Sequence, residues 1–264
     1  MQQLSFNEAG DGYPVVLLHG FCESKKLWDV FMAILSVKFR VIAIDLPGFG
    51  ESPKIPQEKV SLEEFSLKVL GTLQTLKIKE CIMIGHSLGG YVALSFAENY
   101  PNMLQGLGLF HSTSFEDSAE KKANRDKAVA FVEKYGTEKF VSNLFPNLFS
   151  LHNTKKLSKQ IAYFVKDAAQ TPIDVVVSTT KAMKTRPDRQ SVLKQSDCPV
   201  LFIIGKDDAS IPLMQSLTES SLPAESLVFI LENVGHMGMI EASDKCITVV
   251  EQFIDYCLKK LEKK

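Results

Sequence analysis

The stretch Gly85-His86-Ser87-Leu88-Gly89 places a serine hydroxyl between two small residues. It lies directly after the apolar run Cys81-Ile82-Met83-Ile84 and directly before a helical pattern over residues 90–97. Strand, sharp turn and helix in that order lift the central side chain to the tip of the turn. Glycines beside it keep the strained backbone clear of the next strand and the helix start. A serine hydroxyl is a poor nucleophile until a base takes its proton. A histidine oriented by a carboxylate supplies that base. In an open α/β sheet such groups collect at the carboxyl ends of the strands. Two late apolar runs, 200–204 and 227–231, are followed by Gly205-Lys206-Asp207-Asp208 and by Glu232-Asn233-Val234-Gly235-His236. The chain order is therefore serine, aspartate, histidine, and the chemistry it suggests is acyl transfer through the serine oxygen.

The elements that position these residues are legible as apolar runs. Short strands are expected at 15–18, 41–44, 81–84, 107–110, 200–204 and 227–231, with helices near 27–37, 62–76, 88–99 and 243–261. Continuous apolar strands without alternation predict a mostly parallel sheet covered on both faces, and strand–helix alternation predicts a doubly wound α/β fold. Residues 112–189 break the rhythm. Ala128, Phe131, Val132 and Tyr135 recur at helical spacing, as do Phe140, Val141, Leu144 and Phe145, and again Ile161, Phe164, Val165 and Ala168. We expect a core formed by residues 1–111 and 190–264, with a helical lid over 112–189 laid across the catalytic end of the sheet.

Composition excludes several other classes. The 264 residues are 45% hydrophobic, enough for one full core. Thirty basic side chains balance 31 acidic ones, so no electrostatic footprint for a nucleic-acid partner exists. The basic pairs Lys259-Lys260 and Lys263-Lys264 are read as a solvated helix end. The five cysteines, Cys22, Cys81, Cys198, Cys246 and Cys257, have no Cys-x-x-Cys spacing, which argues against a disulfide framework or a zinc site and fits a reducing compartment. No basic-then-apolar leader opens the chain and no run is long enough to span a membrane, so the expectation is a soluble cytoplasmic protein. No cofactor or metal is expected, since no His/Asp/Glu cluster has ligand spacing. Gly48-Phe49-Gly50 lacks the third glycine of a nucleotide loop and reads as a tight turn. The oligomeric state is left open.

Four features together resemble the α/β-hydrolase superfamily over nearly the full length: His19-Gly20-Phe21, Asp45-Leu46-Pro47-Gly48-Phe49-Gly50-Glu51-Ser52, the Ser87 turn, and the late Asp and His. The resemblance implies an α/β-hydrolase fold and a Ser87–His236–Asp208 triad. Asp208 is chosen over Asp207 because the family's acid stands three residues after a Gly and four before a Pro, here Gly205 and Pro212. It implies an oxyanion hole from the backbone N–H groups of Phe21 and Leu88. The lid resembles those of esterases and lactone hydrolases such as 3-oxoadipate enol-lactonase, which makes Arg125 a candidate for holding a substrate carboxylate. Cys22, His111 and Phe145 are further candidates for substrate contact, with Phe115, Phe131, Phe140, Leu144 and Phe149 as pocket-wall or lid-core residues. His19 and His86 are read as braces of the oxyanion loop and of the serine turn, and His152 as a surface residue. The expected function is hydrolysis of a small ester, lactone or thioester. Carbon–carbon bond hydrolysis with the same triad and a non-turnover ligand receptor of the same fold are the alternatives.

Overall fold

The computed structural model describes residues 3–262. The N-terminal stretch read for a leader falls partly outside them, and the second basic pair, Lys263-Lys264, wholly. Seven strands form one sheet: β1 (Phe6–Ala9), β2 (Pro14–Leu18), β3 (Arg40–Ile44), β4 (Cys81–His86), β5 (Leu104–Phe110), β6 (Val200–Gly205) and β7 (Ser226–Leu231). Their order is β1-β3-β2-β4-β5-β6-β7. Only β1 pairs antiparallel, with β3; the other pairings are parallel. The helices of the core are α1 (Asp29–Leu35), α2 (Leu62–Thr75) and α3 (Leu88–Asn99). Between β5 and β6 come α4 (Ala119–Leu144), α5 (Leu151–Thr154), α6 (Ser158–Ala168), α7 (Ile173–Thr185) and α8 (Gln190–Lys194). The chain closes with α9 (Leu213–Ser220), α10 (Gly238–Glu241) and α11 (Ser243–Leu261).

Strand order explains where a site must form. After β2 the chain adds β3 on one side and then returns to place β4 on the other. The crevice between β2 and β4 is thus the switch point at which open α/β sheets gather their ligands. Leu18 pairs with Gly85, so the loop after β2 and the turn after β4 leave the sheet side by side. Gly205 pairs with Leu231 at the ends of β6 and β7, which sets the Asp208 and His236 loops next to each other.

The central strands are fully buried, as their unbroken Val/Ile/Leu runs require. The edges differ from the expectation. Strand β1, Phe6-Asn7-Glu8-Ala9, shows neither an apolar run nor a clean alternation and was not foreseen. Strand β7 is not covered on both faces: Val228 and Ile230 stay 43% and 40% exposed, because an edge strand needs burial on one side only. Strand β5 starts at Leu104, three residues before its apolar run, carried by pairing of Leu104 with Cys81 across an irregular register. Helix α4 is broken at Gly136, whose φ of 84° leaves the helical region and separates the two helical patterns of the sequence. It packs against α6 and α7, and Val132, Val141, Phe145, Ile161 and Val176 of this segment join the one buried apolar cluster that also contains the sheet.

Candidate active site

Ser87 sits at φ 48°, ψ −111°, a conformation a non-glycine residue adopts only when its surroundings impose it. The surroundings here are explicit. Ser87 N–H donates to the Phe110 carbonyl (3.1 Å), and the Ser87 carbonyl accepts from Gly90 N–H, Tyr91 N–H and the Ser112 hydroxyl (2.9, 3.2 and 2.8 Å). A Cβ on Gly85 would stand 2.2 Å from the Gly89 carbonyl oxygen, and one on Gly89 would stand 2.4 Å from that of Leu18, so neither position admits a side chain. The turn is thereby wedged between its own helix and β2.

His236 Nδ1 lies 2.7 Å from Asp208 Oδ2, with both side chains buried. The other Asp208 oxygen accepts from the backbone N–H groups of Ser210 and Ile211 (2.8 and 2.9 Å). Burial pushes the Asp208 pKa up, but the His236 charge and hydrogen bond, the nearby His111 and the Ile211 N–H together hold it below the usual carboxylate value. Burial likewise pulls His236 down; Asp208, through charge and hydrogen bond, and Glu23 more than offset this and leave its pKa above the ordinary histidine value. Ser87 and His236 line one cavity of about 1260 Å³. Asp207, the rival acid, is exposed and accepts from the Ser150 hydroxyl (2.5 Å).

Phe21 and Leu88 are placed differently. The Phe21 ring lines the cavity and meets Phe49 and Phe140 edge-on. Leu88 begins α3 with its side chain fully buried. Among the described residues neither N–H has a protein acceptor, the condition for a free oxyanion donor.

The supporting histidines form a connected scaffold. His19 accepts the Leu46 N–H on Nε2 (2.9 Å), so its proton is on Nδ1, facing the Gly20 carbonyl (2.8 Å); burial lowers its pKa. This ties the loop after β2 to the Asp45–Ser52 turn. Asp45 fixes that turn by accepting from Lys25 N–H, Lys25 Nζ and Glu51 N–H (2.6, 2.7 and 2.9 Å). His86 faces the His236 carbonyl with Nε2 (3.0 Å) and Glu23 Oε2 with Nδ1 (2.9 Å). Glu23 Oε2 also accepts the Gly20 N–H (2.5 Å). Burial raises the Glu23 pKa, but His86, His19 and the Gly20 N–H lower it further, so the buried carboxylate stays ionised. One carboxylate thus links the loop after β2, the serine turn and the backbone of His236.

Three of the expected substrate contacts do not line the cavity. Cys22 is 1% exposed; its φ of 58° turns the side chain into the core behind the loop, and burial raises its thiol pKa well above the free value. Phe145 is fully buried within the helical segment. His111 instead has its two ring nitrogens near the N–H groups of Gly205 (3.2 Å) and Gly238 (3.1 Å), of which a neutral ring accepts one. An imidazolium there would set N–H against N–H on both sides, and burial drops its pKa to about 3. His111 is therefore a neutral brace between the Asp208 and His236 loops, 3.6 Å from Asp208 Oδ2. Arg125, Phe115, Phe140 and Leu144 do line the cavity, whereas Phe131 and Phe149 do not. Glu23, Ser112 and Lys121 are site residues that sequence reasoning missed; each is an ordinary polar residue in a loop or helix end until the fold brings it to the turn or the cavity. Among the described residues no group of three or more His, Cys, Asp or Glu is placed to hold a metal ion, and no helix is long and apolar enough to cross a membrane.

Comparison with known proteins bears on the fold. Residues 13–243 match the family model described as alpha/beta hydrolase fold. A malate-bound thermophilic esterase from Thermogutta terrifontis superposes with a TM-score of 0.91 at 28% identity, over 96% of this chain and 93% of that one. The enol-lactonase of Burkholderia xenovorans LB400 superposes with a TM-score of 0.88 at 21% identity, over 96% of this chain and 96% of that one. In sequence, the chain is 29% identical over 236 residues to the dihydrolipoyllysine-residue acetyltransferase component of the acetoin cleaving system of Pseudomonas putida. That match spans 89% of this chain but only 61% of the longer relative.

Proposed function

The chain belongs to the α/β-hydrolase fold family, and from that premise we propose that it is a serine hydrolase cleaving a small carboxylic ester, lactone or thioester. The observation that carries this reading is a buried His236–Asp208 pair at 2.7 Å that shares a cavity with a serine held on a strained strand-to-helix turn. His236 takes the proton of Ser87 as its oxygen attacks the carbonyl. The resulting imidazolium is stabilised by Asp208, which already accepts two backbone N–H groups and stays ionised. The N–H groups of Phe21 and Leu88 receive the oxyanion, each worth roughly 3–4 kcal/mol of transition-state stabilisation. His236 then protonates the leaving alcohol or thiol, and water activated by the same ring releases the acid from the acyl-enzyme. Residues 112–189 act as the lid: Phe115, Phe140, Leu144 and Met183 supply apolar wall to the cavity that holds Ser87.

The test is turnover of p-nitrophenyl esters of increasing acyl length by the wild type and by Ser87→Ala. Multiple turnover that is lost in a folded Ser87→Ala variant supports the reading. Wild-type rates in that variant overturn it.

A further inference from the structure

Three cationic side chains line the cavity: Lys121, Lys122 and Arg125. Two of them are already matched. Lys122 pairs with Glu116 (2.6 Å), and Arg125 Nε pairs with Asp117 (3.0 Å). Lys121 has a single polar partner among the described residues, the neutral carbonyl of Ser210 (3.0 Å), and no carboxylate at ion-pair distance. An ammonium carries three donors, so two remain for a ligand.

The carboxylates nearby do not fill that gap. Glu23 is engaged by His86, Glu120 is an exposed wall residue with no ion pair to Lys121, and Asp117 is shared between Arg125 and the buried Arg186 (2.8 Å). Arg186 in turn stacks on Tyr91, another wall residue, with its guanidinium carbon 4.0 Å from the ring centroid. Lys121, Arg125 and Arg186 thus face one carboxylate. Lys121 and Arg125 are one turn apart on α4 and share a face. Burial lowers the Lys121 pKa, and Arg186 and Arg125 add to this against the pull of Asp117 and Asp208. A half-buried ammonium of this kind gains most from an incoming anion.

We propose that Lys121 recognises a substrate carboxylate, so that the preferred ester or lactone carries a free acid group away from the reacting carbonyl. The proposal rests on the serine-hydrolase reading above. It assigns selectivity to Lys121 and not to Arg125, whose Nε is already bound to Asp117. A purely structural role for Lys121, bracing through Ser210 the loop that holds Asp208, makes a different prediction: its loss would slow all esters alike.

The experiment compares the monoethyl esters of succinate, glutarate and adipate with their neutral terminal amides, and 3-acetoxypropanoate with its amide, by pH-stat. Wild type, Lys121→Met and Lys121→Arg are assayed, with p-nitrophenyl acetate as a common reference. In at least one pair the wild type is expected to favour the acid over the amide in kcat/KM, mainly through KM. Lys121→Met should shrink that ratio by about tenfold to a hundredfold, as for loss of a hydrogen bond to a charged group, and Lys121→Arg should keep much of it. Equal or better use of the amides, or an equal loss on acid and amide in Lys121→Met, overturns the proposal while leaving the hydrolase reading in place. No turnover of any ester, p-nitrophenyl acetate included, overturns both.

Discussion

Ser87, Asp208 and His236 are each held by contacts that can be changed one at a time. In the proposed mechanism deprotonated His236 is the base, so kcat/KM should fall on the acid side as that ring takes up a proton. Asp208 and Glu23 hold its pKa up against burial, which puts the midpoint of the acid limb above 6.5. Asp208→Asn removes the largest upward influence. The limb should then move to lower pH while kcat drops on the order of 10⁴-fold, as the ring loses its tautomer control; a pH–rate profile of both proteins reads this directly. Glu23 is tested by contrast between two variants. Glu23→Ala leaves His86 Nδ1 and the Gly20 N–H unpartnered in the interior and should cost about 3–5 kcal/mol in urea unfolding. Glu23→Gln can place its amide oxygen where Oε2 stood, facing both the Gly20 N–H and His86 Nδ1, and should retain most of both stability and kcat. At this scale the sequence is most readable where the chemistry is local. Ser87 announces itself by its glycine neighbours, and Asp208 and His236 by following apolar runs. Glu23 and Ser112 carry no such mark, because their importance comes from what the fold sets against them.

Two elements show how packing transmits to the site. The end of β6 touches the loop before His236 so closely that a Cβ on Gly205 would stand 2.2 Å from the Gly235 carbonyl oxygen. Gly205→Ala must push that loop away, and should destabilise the protein by about 1–3 kcal/mol while lowering kcat through a longer His236–Asp208 contact; thermal melts and ester turnover of one variant measure both. Helix α9 contributes Glu219, buried, whose Oε2 accepts from the Thr113 hydroxyl, the Ser114 N–H and the Ser114 hydroxyl (3.0, 2.6 and 2.7 Å) at the entry to the helical segment. Its Oε1 has no partner, and burial, against those three donors, raises its pKa to about 7. Between the ordinary value of 4.5 and about 7 the native state keeps a proton that the unfolded chain releases, so this group makes stability fall as pH rises through that window. Glu219→Gln should lack that slope; urea midpoints of both proteins at about pH 5 and about pH 8 decide it, and parallel slopes would contradict it. Neither contact is visible in sequence: Gly205 marks the acid that follows it without revealing its closeness to Gly235, and Glu219 carries no mark at all. Strand β1 was missed for the opposite reason, since its four residues are placed by pairing with β3 and not by any apolar pattern of their own.

For the molecule as a whole, strand order does what no single motif does. Placing β2 between β3 and β4 brings the His19–Phe21 loop beside the Ser87 turn, and the β6–β7 pairing delivers Asp208 and His236 from a part of the chain more than 100 residues later. The parallel core was legible because buried parallel strands are continuous apolar runs. The cavity was not, since its wall combines residues of the loop after β2, α4, α7 and the loop after β6. Charge pairing within that wall sets Lys121 apart from Lys122 and Arg125, a distinction that composition cannot express. The account as a whole stands on covalent chemistry at one oxygen. The direct measurement is rapid-quench mass spectrometry after mixing with p-nitrophenyl acetate, with the acyl group mapped to its peptide. An acetyl group on Ser87 that forms and decays at catalytic rates, absent from Ser87→Ala, is the predicted result. Turnover with no acyl group on Ser87, or an acyl group carried by another residue, would contradict it.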